Sequence, residues 1–264
     1  MAATENPTVP ASTWTLRVAL FSAILILIGG LWHRMLGMGT PVALNLFMVA
    51  FAGCALAMLI GVASIATIWR RGASGVPSTT LGMLIALGVF AWPIAYLPQY
   101  LGLPQIADVS TDVQSPPVFA ALAKSRTGGG ANGVPYPGPR TAALQLEAYP
   151  DLRTYVIARG REEAYDLVHD VIKRQLKYKV VAEEPPGARA GRIEAVDRTM
   201  VIGFYDDIAI RIDGDQNRSR IDVRSASRYG RHDLGRNAQR VRLILKGLQT
   251  RLEQTLPSSA TDRL

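Results

Sequence analysis

The chain has 264 residues with a formal net charge of +8, and 48% of its residues are hydrophobic, which is high for a soluble protein. Its single cysteine, Cys54, excludes an intrachain disulfide and a thiolate metal cluster. The length fits a membrane segment followed by one folded domain, and the charge distribution favours that division. The Lys and Arg residues that precede position 111 are Arg17, Arg34, Arg70 and Arg71.

Three apolar runs follow a polar N-terminal segment, residues 1–13, and together they occupy residues 14–101. The runs cover residues 14–32, 41–68 and 81–101, and a membrane-spanning helix needs roughly 20 such residues. The first run has neither a basic start nor a small-residue cleavage site, so it predicts a retained helix rather than a signal peptide. No run carries a charged residue at its centre, which favours an anchor over a transporter.

Positive charges beside the spans predict their orientation, because retained Lys and Arg mark the cytoplasmic side of a membrane. Arg17, Arg70 and Arg71 fall on one side of the three spans, and Arg34 falls on the other. This excess predicts a cytoplasmic N-terminus. Three crossings then place the C-terminal part of this multi-pass protein outside the cytoplasm.

The chain after the spans changes composition twice. Residues 102–150 form an arm rich in Pro and Gly, which predicts extended, irregular structure. Residues 151–256 contain apolar patterns of strand and helix length and predict a folded domain, followed by a short tail at residues 257–264.

The folded domain is predicted to have helices at both ends of a run of strands, with turns at Asp206-Asp207 and at residues 213–215. This order predicts an α+β fold, in which an antiparallel sheet carries helices on one face. The predicted helices are residues 161–176 and the segment after Asp233. The predicted strands are residues 152–157, 178–182, 191–196, 200–204 and 208–212, and a charged strand that begins at Arg220.

The charged strand and the helix after it carry the candidate binding site. Apolar and charged residues alternate from Arg220 to Arg224, so one face of the strand can enter a core. One interpretation is a sheet face of paired charges, followed by a helix cap at Asp233. The other is an anion site, in which arginines and serine hydroxyls surround the free amides of a helix N-terminus. The candidate binding residues are Arg224, Ser225, Ser227, Arg228, Asp233, Arg236, Asn237 and Arg240, with Asp108 and Asp112 as secondary candidates.

Metal and cofactor chemistry find little support in the sequence. His33, His169 and His232 are scattered along the chain and lack metal-ligand spacing. We therefore predict no metal, no cofactor and no catalytic residue.

Two other functional classes stay open. An envelope hydrolase would use Asp112, Ser227 or Asp233, although the sequence has no nucleophile-elbow motif. A structural subunit of a membrane complex would need no site of its own.

Several segments resemble the motifs of one protein family. Residues 108–119 are similar to its Asp-x-Ser/Thr-Thr-Asp-x-x-x-Pro-Pro-x-Phe segment, and residues 220–237 are similar to its closing Arg-x-Asp-x-Arg-Ser-x-Ser-Arg segment with the Asp-Leu-Gly that follows. Shorter resemblances lie at residues 149–152, 191–195 and 203–207. The family is the domain of unknown function numbered 1499. It is uncharacterised, so the resemblance implies no activity and no catalytic residue.

The resemblance extends from about Asp108 to Leu252, and it implies that residues 108–119 of the arm dock on the folded domain. Membrane anchors also occur among bacterial members of the family, which implies a bacterial inner (plasma) membrane. Beside the lipid bilayer, the partners that fit the basic domain in that place are an anionic lipid, an anionic envelope polymer or an acidic protein. The predicted topology separates the domain from nucleic acid and disfavours it as a partner.

Overall fold

The computed structural model describes residues 8–255, and the chain divides into two compact units. The first unit contains the N-terminal helices as far as Pro98, together with Met200–Gly203. The second begins at Gln99 and contains the remaining described residues.

Three apolar helices form the first unit, and all three are long and apolar enough to cross a membrane. Small side chains fill their contacts, since Ala19, Cys54, Ala57 and Ala86 are fully buried. The large apolar side chains point outward, as at Leu59, which is 69% exposed. The helices are α1 at Pro10–Met35, α2 at Thr40–Arg71 and α3 at Val76–Ala95, followed by the short α4 at Leu97–Gly102.

Close approach between α1 and α3 depends on Gly82. A Cβ atom at this position would lie 2.8 Å from main-chain atoms of Leu16, so any larger residue would force the two helices apart. Hydroxyl groups also join the helices, because the Ser64 oxygen lies 3.2 Å from that of Ser12 and 3.0 Å from that of Thr79.

The second unit is built on a six-stranded sheet in which every neighbouring pair is antiparallel. Its order is β1-β6-β5-β4-β3, and β2 also pairs with β6 beyond the end of β1. The chain's last strand therefore lies between the first two strands and the central hairpin. The strands are β1 at Asp108–Ser110, β2 at Tyr155–Ile157, β3 at Lys179–Glu184, β4 at Gly191–Arg198, β5 at Tyr205–Gly214 and β6 at Ser219–Ser227.

Helices α6 and α7 pack on one face of the sheet, which confirms the predicted α+β architecture. The fully buried Ile193, Ile208 and Ile221 of the sheet meet Val168 of α6 and Val241 of α7 in one core. The helices of this unit are α5 at Pro139–Ala148, α6 at Arg161–Asp170 with a π-helical continuation at Val171–Gln175, and α7 at Arg236–Thr255.

The opposite face of the sheet is covered by part of the Pro- and Gly-rich arm, which we call the covering segment, residues 111–137. Phe119 and Leu122 are each 1% exposed and pack on Val196, Ala209 and Ala226 of the sheet. The short 3₁₀ helix Leu122–Arg126 lies in this segment. Both faces of the central strands β4, β5 and β6 are therefore largely buried, one under regular helices and one under irregular chain, whereas the edge strand β3 is mostly exposed.

Two of the sequence predictions within the domain are wrong, and the turn predicted at residues 213–215 begins only at Asp215, because Asp213 and Gly214 belong to β5. Residues 200–204 do not form a strand, because they make the bend that joins β4 to β5. Asp206 and Asp207, predicted as a turn, lie inside β5 and are 3% and 0% exposed. Each carboxylate has an arginine partner in the fold, and this pairing offsets the cost of burying the charge. The sequence of the strand alone does not reveal these arginine partners, because they come from other parts of the chain.

Candidate functional site

Arg224, the central arginine of β6, is buried and paired within the domain. Its guanidinium donates to both carboxylate oxygens of Asp108 in β1, at 3.0 and 2.7 Å. It also donates to the carbonyl oxygens of Pro117 and Val134, and it lies 4.5 Å above the centre of the Phe119 ring. Arg224 therefore fastens β1 and the covering segment to β6, and its charge is neutralised internally.

Asp207 of β5 holds two more arginines under the covering segment. Nε of Arg126 donates to its carboxylate at 2.8 Å, and Nε of Arg228 donates at 2.9 Å. Arg126 also donates to the carbonyl oxygen of Ala226 at 2.8 Å. Burial lowers the pKa of the Arg126 guanidinium, and the adjacent Asp207 carboxylate opposes that shift.

Glu194 of β4 fixes the covering segment at a third point. Its carboxylate accepts hydrogen bonds from the main-chain amides of Ala120, Ala121 and Leu122, at 2.9, 3.0 and 2.9 Å. Converging amides of this kind form an anion site, and here a side chain of the same domain occupies it.

The helix-bearing face of the sheet contains a second polar network, centred on Arg240 of α7. Its guanidinium donates to the carboxylate of Asp197 at 2.7 and 3.0 Å and to that of Asp206 at 2.7 Å. It also donates to the hydroxyl of Ser225 at 3.1 Å. The acidic neighbours raise the pKa of Arg240, although its burial acts in the opposite direction.

Asn237, one turn before Arg240, engages both serines of the charged strand. Its amide nitrogen donates to the Ser227 hydroxyl at 3.0 Å, and its amide oxygen accepts from the Ser225 hydroxyl at 2.8 Å. The same amide nitrogen donates to the carbonyl oxygen of Ala107 at 3.1 Å. In the part of the chain that the structure describes, no histidine forms a hydrogen bond with either serine.

Asp233 closes the turn before α7. Its carboxylate accepts from the amides of Gly235 and Asn237, both at 2.8 Å, as expected for a residue that caps a helix. Burial raises the pKa of the Asp233 carboxyl, although these two amides oppose the shift. Arg236, at the start of α7, is exposed.

Asp112 takes part in a smaller cluster over the sheet. Its carboxylate accepts from the Arg211 guanidinium at 3.0 Å, and that guanidinium also donates to Asp222 at 2.7 Å. The second oxygen of Asp112 accepts from the amides of Gln114 and Ser115. Asp112 therefore orders the start of the covering segment.

A cleft of about 410 Å³ opens where β1 meets the end of β6, and we call it the Arg231 cleft. The residues that line it include Ile106, Asp108, Pro135, Ser227 and Arg231. Pockets of a few hundred Å³ are of the size that binds small ligands. Arg231 is exposed and has no carboxylate partner among residues 8–255.

The structure places the binding residues predicted from the sequence in several separate locations. Ser227 and Asp108 line the Arg231 cleft. Ser225, Asn237 and Arg240 lie together behind it in the polar network of the helix-bearing face. The remaining candidates lie apart from the cleft: Arg224 and Arg228 under the covering segment, Asp233 in the helix cap, Arg236 on the surface and Asp112 over the sheet.

Arg231 was not among the nominated residues. The signal that could have found it is its position in the turn after Gly230, beyond the alternating pattern that pairs the other arginines with the sheet. Arg126 gave no comparable signal, because its partner Asp207 lies 81 residues away in the sequence.

Among the described residues, no group of three or more His, Cys, Asp or Glu side chains is arranged to hold a metal ion.

The fold defines an α+β domain preceded by three apolar helices that could span a membrane. The particular family follows from the domain: the model of the family described as "Protein of unknown function (DUF1499)" matches residues 108–248, more than half of the chain, so the chain belongs to this family. A comparison with curated proteins found no match.

Proposed function

We propose that the protein is a membrane-anchored binding protein whose α+β domain binds an anionic ligand or partner at the Arg231 cleft. The observation that carries this proposal is the difference between Arg231 and the buried arginines around it. Arg126, Arg224 and Arg240 each have an aspartate partner within the domain, whereas Arg231 has none among residues 8–255. An unpaired guanidinium beside a cleft favours a carboxylate or a phosphate as its partner.

The charged residues that line the cleft support a negatively charged ligand. The carboxylate of Asp108 is neutralised by Arg224, and Arg126 is neutralised by Asp207. The uncompensated charge at the cleft is therefore the positive charge of Arg231. In this proposal Ser227 contributes to the wall, while Ser225, Asn237 and Arg240 hold that wall in place.

The proposed location is a bacterial inner membrane, with the N-terminus in the cytoplasm and the α+β domain outside it. Arg70 and Arg71 lie at the end of α2, and Arg17 lies in the first part of α1, so the positive charges favour this orientation. A reporter that is active only outside the cytoplasm, fused after Leu264, tests the topology. If this reporter is inactive, and a second reporter that is active only in the cytoplasm is active at the same position, the orientation is the reverse of the one proposed.

Binding is tested with the full chain in lipid nanodiscs. The probes are glycerol phosphate for a lipid headgroup, a polyglycerol phosphate oligomer for an envelope polymer, and acidic peptides for a protein. Arg231→Gln should weaken the binding of the recognised probe roughly tenfold or more, because a charge-assisted hydrogen bond contributes about 1.5–3 kcal/mol. Arg220→Gln, an exposed position at the far end of β6, is the matched control and should leave binding unchanged. Equal binding by both variants would refute the site.

A further inference from the structure

Strand β1 borders the Arg231 cleft at Asp108, and the main-chain groups of alternate residues in this strand point toward β6 and away from it. The carbonyl oxygen of Ala107 accepts from the Ser227 amide, and the Thr111 amide donates to the carbonyl oxygen of Val223, both at 2.9 Å. In an antiparallel pair, main-chain groups of alternate residues point toward the partner strand and away from it. The N–H and C=O groups of Asp108 and Ser110 therefore point away from β6.

At Ser110 these outward groups already bind a group with the chemistry of a peptide bond. Nε2 of Gln145 in α5 donates to the Ser110 carbonyl oxygen at 2.7 Å, and Oε1 of Gln145 accepts from the Ser110 amide at 2.9 Å. The Gln145 carboxamide is fully buried, and the Tyr136 hydroxyl donates to its oxygen at 3.2 Å. One residue of β1 is thus paired as though a neighbouring strand were present.

Two residues earlier, at Asp108, the same edge reaches the cleft. Pro135 and Pro137 also line the cleft, and they have no main-chain N–H with which to pair with β1 as a strand would. Outside the β1–β6 pair, the N–H and C=O groups of Asp108 have no hydrogen-bond partner among residues 8–255. Arg231 and Gly230 border the same cleft.

We propose that the Arg231 cleft binds an extended peptide with a free C-terminal carboxylate, which pairs with the main chain of Asp108 and whose carboxylate binds Arg231. This inference rests on the proposed function and names its ligand class. Strand addition to a free sheet edge gives main-chain hydrogen bonds that recognise a peptide whatever its side chains. A lipid headgroup or a polyol phosphate offers a negative charge for Arg231, but it lacks the main-chain N–H donor and C=O acceptor with which a peptide can pair with β1.

The experiment uses the full chain in lipid nanodiscs and a library of N-acetylated hexapeptides with free C-termini. Bound peptides are separated with the nanodiscs and identified by mass spectrometry. The strongest binder is then resynthesised with two kinds of alteration. One form has a C-terminal amide, and a series of others has a single N-methyl group on each main-chain nitrogen in turn.

The expected result is roughly tenfold weaker binding for the amide and for at least one N-methyl form, since each loses a hydrogen bond made by a charged or main-chain group. Arg231→Gln should weaken the free acid to the level of the amide, while leaving the amide unaffected. Arg220→Gln should change neither. Thr141 also lines the cleft, and Thr141→Trp, which fills the cleft, should abolish binding of all forms.

Three outcomes would overturn the inference, and they differ in what they leave standing. If no peptide binds but glycerol phosphate or the polyglycerol phosphate oligomer binds in a manner that depends on Arg231, the peptide is wrong and the proposed anion-binding function stands. If the peptide, its amide and all its N-methyl forms bind equally, strand addition is wrong. If no probe of any class binds, both proposals fail together.

Discussion

Asp108 and Arg224 lie 116 residues apart in the sequence, and they form a buried ion pair with two hydrogen bonds, at 3.0 and 2.7 Å. The pair links the first strand of the domain to the last. Its geometry also brings the ring of Phe119 against the guanidinium, at 4.5 Å from the ring centre. The charge pattern that suggested a ligand site thus serves mainly to join distant parts of the fold.

Arg224→Met should lower the free energy of unfolding of the domain by about 3–5 kcal/mol, because it leaves the Asp108 carboxylate buried without its partner. The measurement is urea denaturation of the full chain in mild detergent, followed by circular dichroism. Arg220→Met is the matched control, since Arg220 is exposed in the same strand, and it should change stability by less than about 0.5 kcal/mol. Equal losses in the two variants would contradict the role assigned to this ion pair.

Asn237→Ala should lower the free energy of unfolding by about 1–3 kcal/mol, because the buried hydroxyls of Ser225 and Ser227 lose their shared partner. Gln239→Ala changes an exposed residue of the same helical turn and should have little effect. The same denaturation experiment measures both variants. A loss at Asn237 no larger than that at Gln239 would show that the hydroxyls find other partners.

Glu194→Gln should loosen the covering segment, because a neutral amide replaces the carboxylate that accepts from three main-chain amides. Each charge-assisted hydrogen bond contributes about 1.5–3 kcal/mol, so we expect trypsin to cleave after Lys124 at least tenfold faster. Limited proteolysis of the full chain, with cleavage sites read by mass spectrometry, measures the rate. Glu184→Gln, at an exposed position of β3, is the control, and an unchanged rate in Glu194→Gln would count against this restraint.

Asp151→Asn should reduce the loss of folding stability that occurs as the pH falls into the acid range. The hydrogen bonds from Arg242 lower the pKa of the Asp151 carboxyl below its ordinary value. A carboxyl whose pKa is depressed by folding stabilises the folded state above its unfolded pKa, and that contribution is lost as the pH falls through the folded pKa.

The wild-type protein should therefore exceed Asp151→Asn in stability at pH 7, and the difference should vanish under acid conditions below the ordinary carboxyl range. Because both side chains are about half exposed, the effect should be less than about 1 kcal/mol. Thermal unfolding at a series of pH values measures it. Asp166→Asn, exposed on α6 and without an ion pair among residues 8–255, should show no such convergence.

Periodicity predicted the parts of this protein that depend on local sequence. The three apolar helices follow from run length, and α7 follows from residues such as Val241 and Leu248 on its buried face. The paired-charge interpretation of the strand describes Arg224, whose guanidinium binds Asp108 on one face of β6 while Val223 enters the core on the other.

Long-range pairing explains what periodicity missed. Asp206 and Asp207 resemble a turn until Arg240 and Arg126 are brought to them by other elements. The Arg231 cleft has the same origin, since its walls come from segments around Asp108 and Pro135 that meet only in the folded domain.

The pairing of the first strand with the last sets the order in which the domain can be completed. Strand β1 finds no partner strand until residues 224–226 of β6 have been synthesised, so the growing chain holds its first strand unpaired through most of the synthesis of the domain. Contacts of such large sequence separation slow folding, because a long loop must close before they form. A chain interrupted before Ser219 lacks β6, the strand that joins both halves of the sheet. Closure of the sheet is therefore a late event, and an incomplete chain should be a substrate for proteases rather than a partly working protein.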